Sequence, residues 1–280
     1  MQVVRTREAL SAALDVLRSR GELALVPTMG YLHEGHLSLL DVAGRAAASV
    51  AVSIFVNPLQ FGPDEDLARY PRDEARDFEA LQARGVDLVF FPTVEEMYPH
   101  GDPRVRVSPG TLGTRLCGRF RPGHFEGVLT VVARLFGLLR PDVAVFGAKD
   151  FQQGVLIRRM ALDLELGVRV LEAPIIREPD GLAMSSRNAY LTARERAEAP
   201  ALFAALTSVQ GAFEGGETSA GALIGLIRAE LGKRPTLELQ YADIVSPDTL
   251  EPREPVGAGA VVAVAAYCGR TRLIDNRVLA

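Results

Sequence analysis

Only two cysteines, two lysines and three asparagines occur among the 280 residues of this chain, and each scarcity excludes something. Cys117 and Cys268 are too few and too far apart for a disulfide framework or a cysteine-based zinc site. A reducing, cytoplasmic setting is the expectation. Long apolar runs are missing as well: the most apolar stretch, residues 256–268, is short, interrupted by glycine and unable to span a bilayer as a helix. The first eight residues lack the apolar core of a secretion signal. Positive charge is not in excess, because the formal net charge is −4, so a general electrostatic footprint for nucleic acid is absent. Neither nucleic acid nor membrane is expected as a partner. With Lys149 and Lys233 the only lysines, arginine supplies nearly every cation. A lysine or asparagine inside a motif therefore carries more information than it would in an average chain.

What is present is an ordinary globular composition, 48% hydrophobic and 24% charged. Apolar runs suited to buried parallel strands occur at residues 23–27, 50–56, 86–91, 143–146 and 168–171. Helical patterns lie between them at residues 36–48, 72–84, 128–139 and 151–165, with Gly85 and Gly167 as expected C-caps and Pro141 as a stop. This alternation predicts an α/β domain with a doubly wound parallel sheet, Rossmann-like, over residues 1–175. After residue 176 two helical stretches (193–209 and 219–231) precede strand patterns at 237–245, 260–267 and 271–274. They predict a smaller C-terminal α+β domain over residues 176–280. No G-x-G-x-x-G follows the first strand pattern, so phosphate must be handled by another device.

One candidate is the string from Pro27 to His36, between a strand and a helix. His33 and His36, three apart, would sit together on the first turn of that helix. Imidazoles there can donate to phosphate, and the free backbone N–H groups and helix dipole favour an anion. A pair that merely caps the helix is the alternative. Asn57 and Gln60 follow the second strand pattern, and Lys149 and Asp150 the fourth, all at the carboxyl edge where open α/β sheets bind ligands. Lys149 offers a compact charge for phosphate; an exposed lysine paired with Asp150 is the alternative. Ser185, Ser186 and Arg187 offer hydroxyl donors and a planar fork, or else an Asn-capped turn. Arg115, Arg119 and Arg121 read as a solvated basic loop.

The pattern His33-x-Gly35-His36 resembles that of the H-x-G-H nucleotidyltransferases. The longer string, with residues 53–62, 146–153 and 184–191, closely resembles the pantothenate synthetase family in order and spacing. It departs from that family at Tyr31 and Leu59. The resemblance implies ATP-dependent condensation of (R)-pantoate with β-alanine through a pantoyl adenylate, releasing AMP and pyrophosphate. It implies that His33, His36, Lys149, Ser185, Ser186 and Arg187 stabilise charge on the phosphates, with His36 as proton donor. It places Met29, Gly30, Tyr31, Leu32, His33, Glu34, Gly35 and His36 around ATP, with Gly147, Ala148, Lys149, Asp150, Ile176, Met184 and residues 185–187. It places Gln60, Gln153 and Asn57 on pantoate and β-alanine. Mg2+ would arrive with ATP rather than in a protein cage, and a homodimer with a C-terminal lid domain is implied. Two rivals are another H-x-G-H adenylyltransferase, whose turnover needs no free amine, and a non-catalytic nucleotide-binding regulator.

Overall fold

The computed structural model describes residues 1–63 and 65–280. Two compact units emerge. The first comprises Met1–Thr114, Gly118–Ala148 and Leu156–Pro174; the second comprises Arg115–Cys117, Lys149–Val155 and Ile175–Ala280. Along the chain the strands and helices are β1 (Gln2–Val4), α1 (Arg7–Arg18), β2 (Leu23–Thr28), α2 (Glu34–Ala46), β3 (Ser49–Ile54), α3 (Glu74–Ala83), β4 (Leu88–Phe90), α4 (Val94–Met97), α5 (Leu116–Phe120) and α6 (His124–Leu139). They continue with β5 (Val143–Gly147), α7 (Phe151–Asp163), β6 (Arg169–Ala173), α8 (Ala193–Glu198), α9 (Ala201–Glu214), α10 (Ala220–Leu231), β7 (Leu237–Val245), β8 (Val261–Cys268) and β9 (Thr271–Val278).

In the first unit six parallel strands lie in the order β1-β4-β3-β2-β5-β6. Val26, Val52 and Val145 pack with Leu37, Leu40 and Leu81 of α2 and α3 on one face. The alternate residues Leu25, Ala51 and Ala144 are equally buried, and successive strand side chains point oppositely. Both faces are therefore covered, as the unbroken apolar runs predict. From β2 the chain builds outward through β3 and β4, then returns to place β5 on the other side of β2. That reversal is the topological switch point, beyond whose carboxyl ends such sheets take ligands.

The second unit holds the antiparallel sheet β7-β8-β9. Leu202, Leu206, Leu223 and Ile227 of α9 and α10 pack on Ile244, Val262 and Val264.

Several elements differ from the sequence expectation. The strand β1 and the helix α1 were not expected; β1 has three residues, too few for a period. The stretch 193–209 is two helices, because Pro200 cannot donate into a continuing helix and its ring clashes with the preceding turn. The last strand runs on to Val278. Left-handed Glu165 (φ 48°) turns the chain just after α7, ahead of Gly167. Among the described residues no helix is long and apolar enough to cross a membrane.

Candidate active site

At the carboxyl end of β2 the backbone turns through two left-handed residues, Gly30 (φ 82°) and Tyr31 (φ 51°). A side chain at position 30 would start 3.0 Å from both Asp77 and Ile54, so glycine is needed for space as well as for φ. Tyr31, a non-glycine residue in this region, is held there by Asp77 of α3. Its two carboxylate oxygens each accept one backbone N–H, from Tyr31 and Leu32, both at 2.7 Å. Asp77 is 2% exposed; burial raises its pKa despite the two amide donors. The sequence reading missed this residue. The available signal was an acid on the buried stripe of a helix, four residues before Leu81.

The chain then enters α2 through a reciprocal histidine cap. His33 Nδ1 accepts from Gly35 N at 3.1 Å, and His36 Nδ1 accepts from His33 N at 3.4 Å. The ring centroids are 4.1 Å apart. An imidazole nitrogen that accepts carries no proton, so each neutral ring has its proton on Nε2. The capping alternative and the phosphate-donor reading are thus compatible, because capping uses one nitrogen and turns the other into a donor. Glu34, in the same turn, pairs with Arg84 at 2.8 Å.

Beyond β3, Asn57 caps a 3-10 turn at Pro58–Gln60. It is 1% exposed, and its amide is fully engaged: Oδ1 accepts from Leu59 N (3.3 Å) and the Tyr98 hydroxyl (2.8 Å). Its Nδ2 donates to Gln60 Oε1 and to the Gly127 carbonyl, both at 3.1 Å. Gln60 Nε2 in turn points at Met29 Sδ, 3.2 Å away. The Gln60 carbonyl is held from outside the turn by His124 Nδ1 at 2.8 Å. That oxygen can only accept, so Nδ1 bears the proton and Nε2 accepts from Arg121, 2.8 Å away. Arg121 also grips both oxygens of Glu65 at 2.6 Å. Burial pushes the Glu65 carboxyl up, but the hydrogen bonds and charge of Arg121 outweigh it and leave the pKa lowered. Arg121 is therefore not the solvated cation expected from the sequence, whereas the exposed Arg119 stacks on Phe120.

In the second unit, Lys149 is half-buried in the 3-10 turn Ala148–Asp150 that follows Gly147. Among the described residues no ion pair joins it to the exposed Asp150. Gln153 is half-buried on the first turn of α7, and its neighbour Gln152 donates to the Arg115 carbonyl at 2.8 Å. Ile176 accepts from Met184 N at 3.0 Å, which closes a narrow loop leading to Ser185. Ser185 Oγ caps the turn Ser186–Tyr190 through Arg187 N at 3.2 Å. Asn188 Nδ2 donates to the Ala183 carbonyl at 3.2 Å. The expected residues thus fall into two groups: Met29–His36, Asn57, Gln60, Gly147 and Ala148 in the first unit, and Lys149, Asp150, Gln153, Ile176 and Met184–Arg187 in the second.

A family model described as Pantoate-beta-alanine ligase matches residues 2–278. Pantothenate synthetase from Salinibacter ruber is 48% identical over 285 residues, covering 99% of this chain and 97% of that protein. The enzyme of that name from Thioalkalivibrio sulfidiphilus is 53% identical over 281 residues, covering 99% and 97%. Among solved structures, pantothenate synthetase from Thermus thermophilus superposes with a TM-score of 0.93 at 46% identity, covering 99% of both chains. Pantoate-beta-alanine ligase from Francisella tularensis, complexed with beta-gamma ATP and beta-alanine, superposes with a TM-score of 0.83 at 31% identity, covering 99% of this chain and 97% of that one.

Proposed function

This chain belongs to the pantoate-beta-alanine ligase family and makes pantothenate from pantoate, β-alanine and ATP; we propose that it does so through a pantoyl adenylate. In the first half-reaction a pantoate carboxylate oxygen attacks the α-phosphorus, and pyrophosphate leaves with the electron pair of the broken P–O bond. In the second the amine of β-alanine attacks the activated carbonyl carbon, AMP leaves, and the new amide loses the amine's extra proton. No protein nucleophile is needed. The demands are positioning and neutralisation of developing charge.

The observation that carries this reading is the reciprocal cap of His33 and His36. It fixes two Nε2–H donors at the start of a helix, where free backbone N–H groups already favour an anion. His36 would give its proton as charge develops on the phosphates. Lys149, Ser185, Ser186 and Arg187 supply the remaining charge and hydroxyl donors, and Gly35 lets the nucleotide approach the backbone. Gln60 and Gln153 hold pantoate. Asn57 acts through Gln60, because its own amide has its bonds inside the protein. Magnesium comes with ATP on phosphate oxygens and water; among the described residues no cluster of three or more His, Cys, Asp or Glu side chains is placed for a metal. A cytoplasmic homodimer acting on the (R) form of pantoate completes the reading.

The test is exchange of labelled pyrophosphate into ATP. With pantoate and magnesium present, exchange should proceed without β-alanine, since the adenylate forms reversibly alone. Exchange that required β-alanine, or AMP bound covalently to the protein, would overturn the two-step scheme.

A further inference from the structure

Asn276, the third of the scarce asparagines, lies far in sequence from every motif above. It sits on β9 opposite Ala263 of β8 and is 7% exposed. Its Nδ2 donates to the backbone carbonyl of Lys149 at 3.1 Å. The preceding residue, Asp275, is 4% exposed and takes Arg177 through both carboxylate oxygens, at 2.6 and 2.9 Å. Arg177 also donates to the Gly181 carbonyl at 3.0 Å and stacks 4.2 Å from the Phe203 ring. It bridges to Ala183, immediately before Met184 and Ser185.

Asp and Asn are poor strand residues, and burying either costs free energy unless it is fully bonded. Their place in β9 therefore calls for a return, and their partners supply it. Successive strand side chains point to opposite sides, so this dipeptide reaches two different loops. One is the turn that carries Lys149; the other is the loop that leads to Ser185–Arg187.

We propose that Asp275 and Asn276 form a clamp that sets the two phosphate-facing loops of the second unit, with Asn276 the positioning residue for Lys149. The proposal rests on the reading of Lys149 as a phosphate-binding group. A lysine side chain reaches its target through four rotatable carbons, so the fixed point that decides its aim is its backbone. Holding the Lys149 carbonyl stops the turn from rotating away, and a displacement of about 1 Å in a positioning group can cost about 100-fold in rate.

The experiment is a double-mutant cycle read by pyrophosphate exchange, with an ATP titration and a thermal melt of each variant. Asn276→Leu keeps the branched outline of the side chain and removes the donor. It should lose roughly 10- to 100-fold in exchange. Added to Lys149→Ala, it should cost no more than about twofold beyond Lys149→Ala alone, since a residue that only aims Lys149 has nothing left to aim. If the two losses multiplied, or if Asn276→Leu exchanged normally while Lys149→Ala did not, the clamp would be wrong and the Lys149 reading would stand. Normal exchange in Lys149→Ala would instead remove the Lys149 reading, and the clamp's purpose with it. Should the leucine variant melt below the assay temperature, Asn276→Ser, too short to reach the Lys149 carbonyl, is read through the same cycle.

Discussion

At Gln60 the two ends of one amide have different employment. Its Oε1 takes a hydrogen bond from Asn57, and its Nε2 rests against a thioether. A sulfur is a weak acceptor, so the N–H donors give up little on turning to a carboxylate. Gln60→Ala should therefore lower kcat/KM for pantoate by roughly one to two decades, matching the 1.5–3 kcal/mol typical of a hydrogen bond to a charged group. ATP affinity should hardly change, because the histidine cap and its helix are untouched. A parallel fall in ATP affinity, seen by direct titration, would show that Gln60 serves the nucleotide instead. The candidate residues themselves were legible in the sequence, since histidine, lysine and glutamine at strand ends stand where open α/β sheets take ligands. Their supports were not. Asp77, His124 and Asn276 act on backbone atoms 45, 64 and 127 residues away, and the partner of such a bond cannot be read from the local sequence.

Helix α6 shows what one element does for the turn beside it. A Cβ on Gly127 would lie 2.2 Å from the Leu59 carbonyl oxygen, so the helix lies directly against Pro58–Gln60 and only glycine allows it. By helix propensity alone, glycine to alanine should stabilise by about 1 kcal/mol. Gly127→Ala should do the reverse: the turn must shift, Asn57 loses its bond to the Gly127 carbonyl, and Gln60 moves with it. Gly137 in the same helix is exposed, and a Cβ there would meet nothing within 4 Å. Gly137→Ala is the control and should stabilise by roughly 0.5–1 kcal/mol with unchanged pantoate kinetics. Equal melting shifts in the two variants, with pantoate KM unmoved in both, would count against the tight seat. Periodicity announced the body of α6 but placed its start four residues late. In its first turn, His124 serves the Gln60 carbonyl, Glu126 pairs with Arg106 and the Gly127 carbonyl takes the Asn57 amide, and these positions break the apolar pattern that periodicity depends on. Pro200 was a local breaker plainly visible in the sequence, yet strong helix formers, alanine, arginine and glutamate before it and alanine and leucine after it, mask the break.

Across the whole molecule, each unit holds a buried phenol, Tyr98 in the first and Tyr241 in the second, whose ionisation the folded state resists. Burial raises the Tyr98 pKa in the first unit. In the second it raises that of Tyr241, where Cys117, 3.1 Å from the hydroxyl, adds to the effect. Both side chains would ionise near pH 10 in the unfolded chain and only at higher pH in the folded one. Over that window the folded state binds more protons than the unfolded state, so their contribution is present below pH 10 and is lost as pH rises through the folded pKa. Stability should fall above about pH 10 by roughly 1.4 kcal/mol per pH unit for each phenol. Tyr98→Phe loses its bond to Asn57 and starts lower at neutral pH, yet its decline with pH should be shallower, because one of the two groups no longer titrates. Tyr241→Phe should flatten the decline in the same way. Denaturant unfolding from pH 8 to 11, fitted with allowance for two transitions, measures both slopes. If the phenylalanine variants kept the parent slope, the phenols would not be what the alkaline limb reports, and another group would have to carry the loss, such as the Cys268 thiol, whose pKa burial also raises.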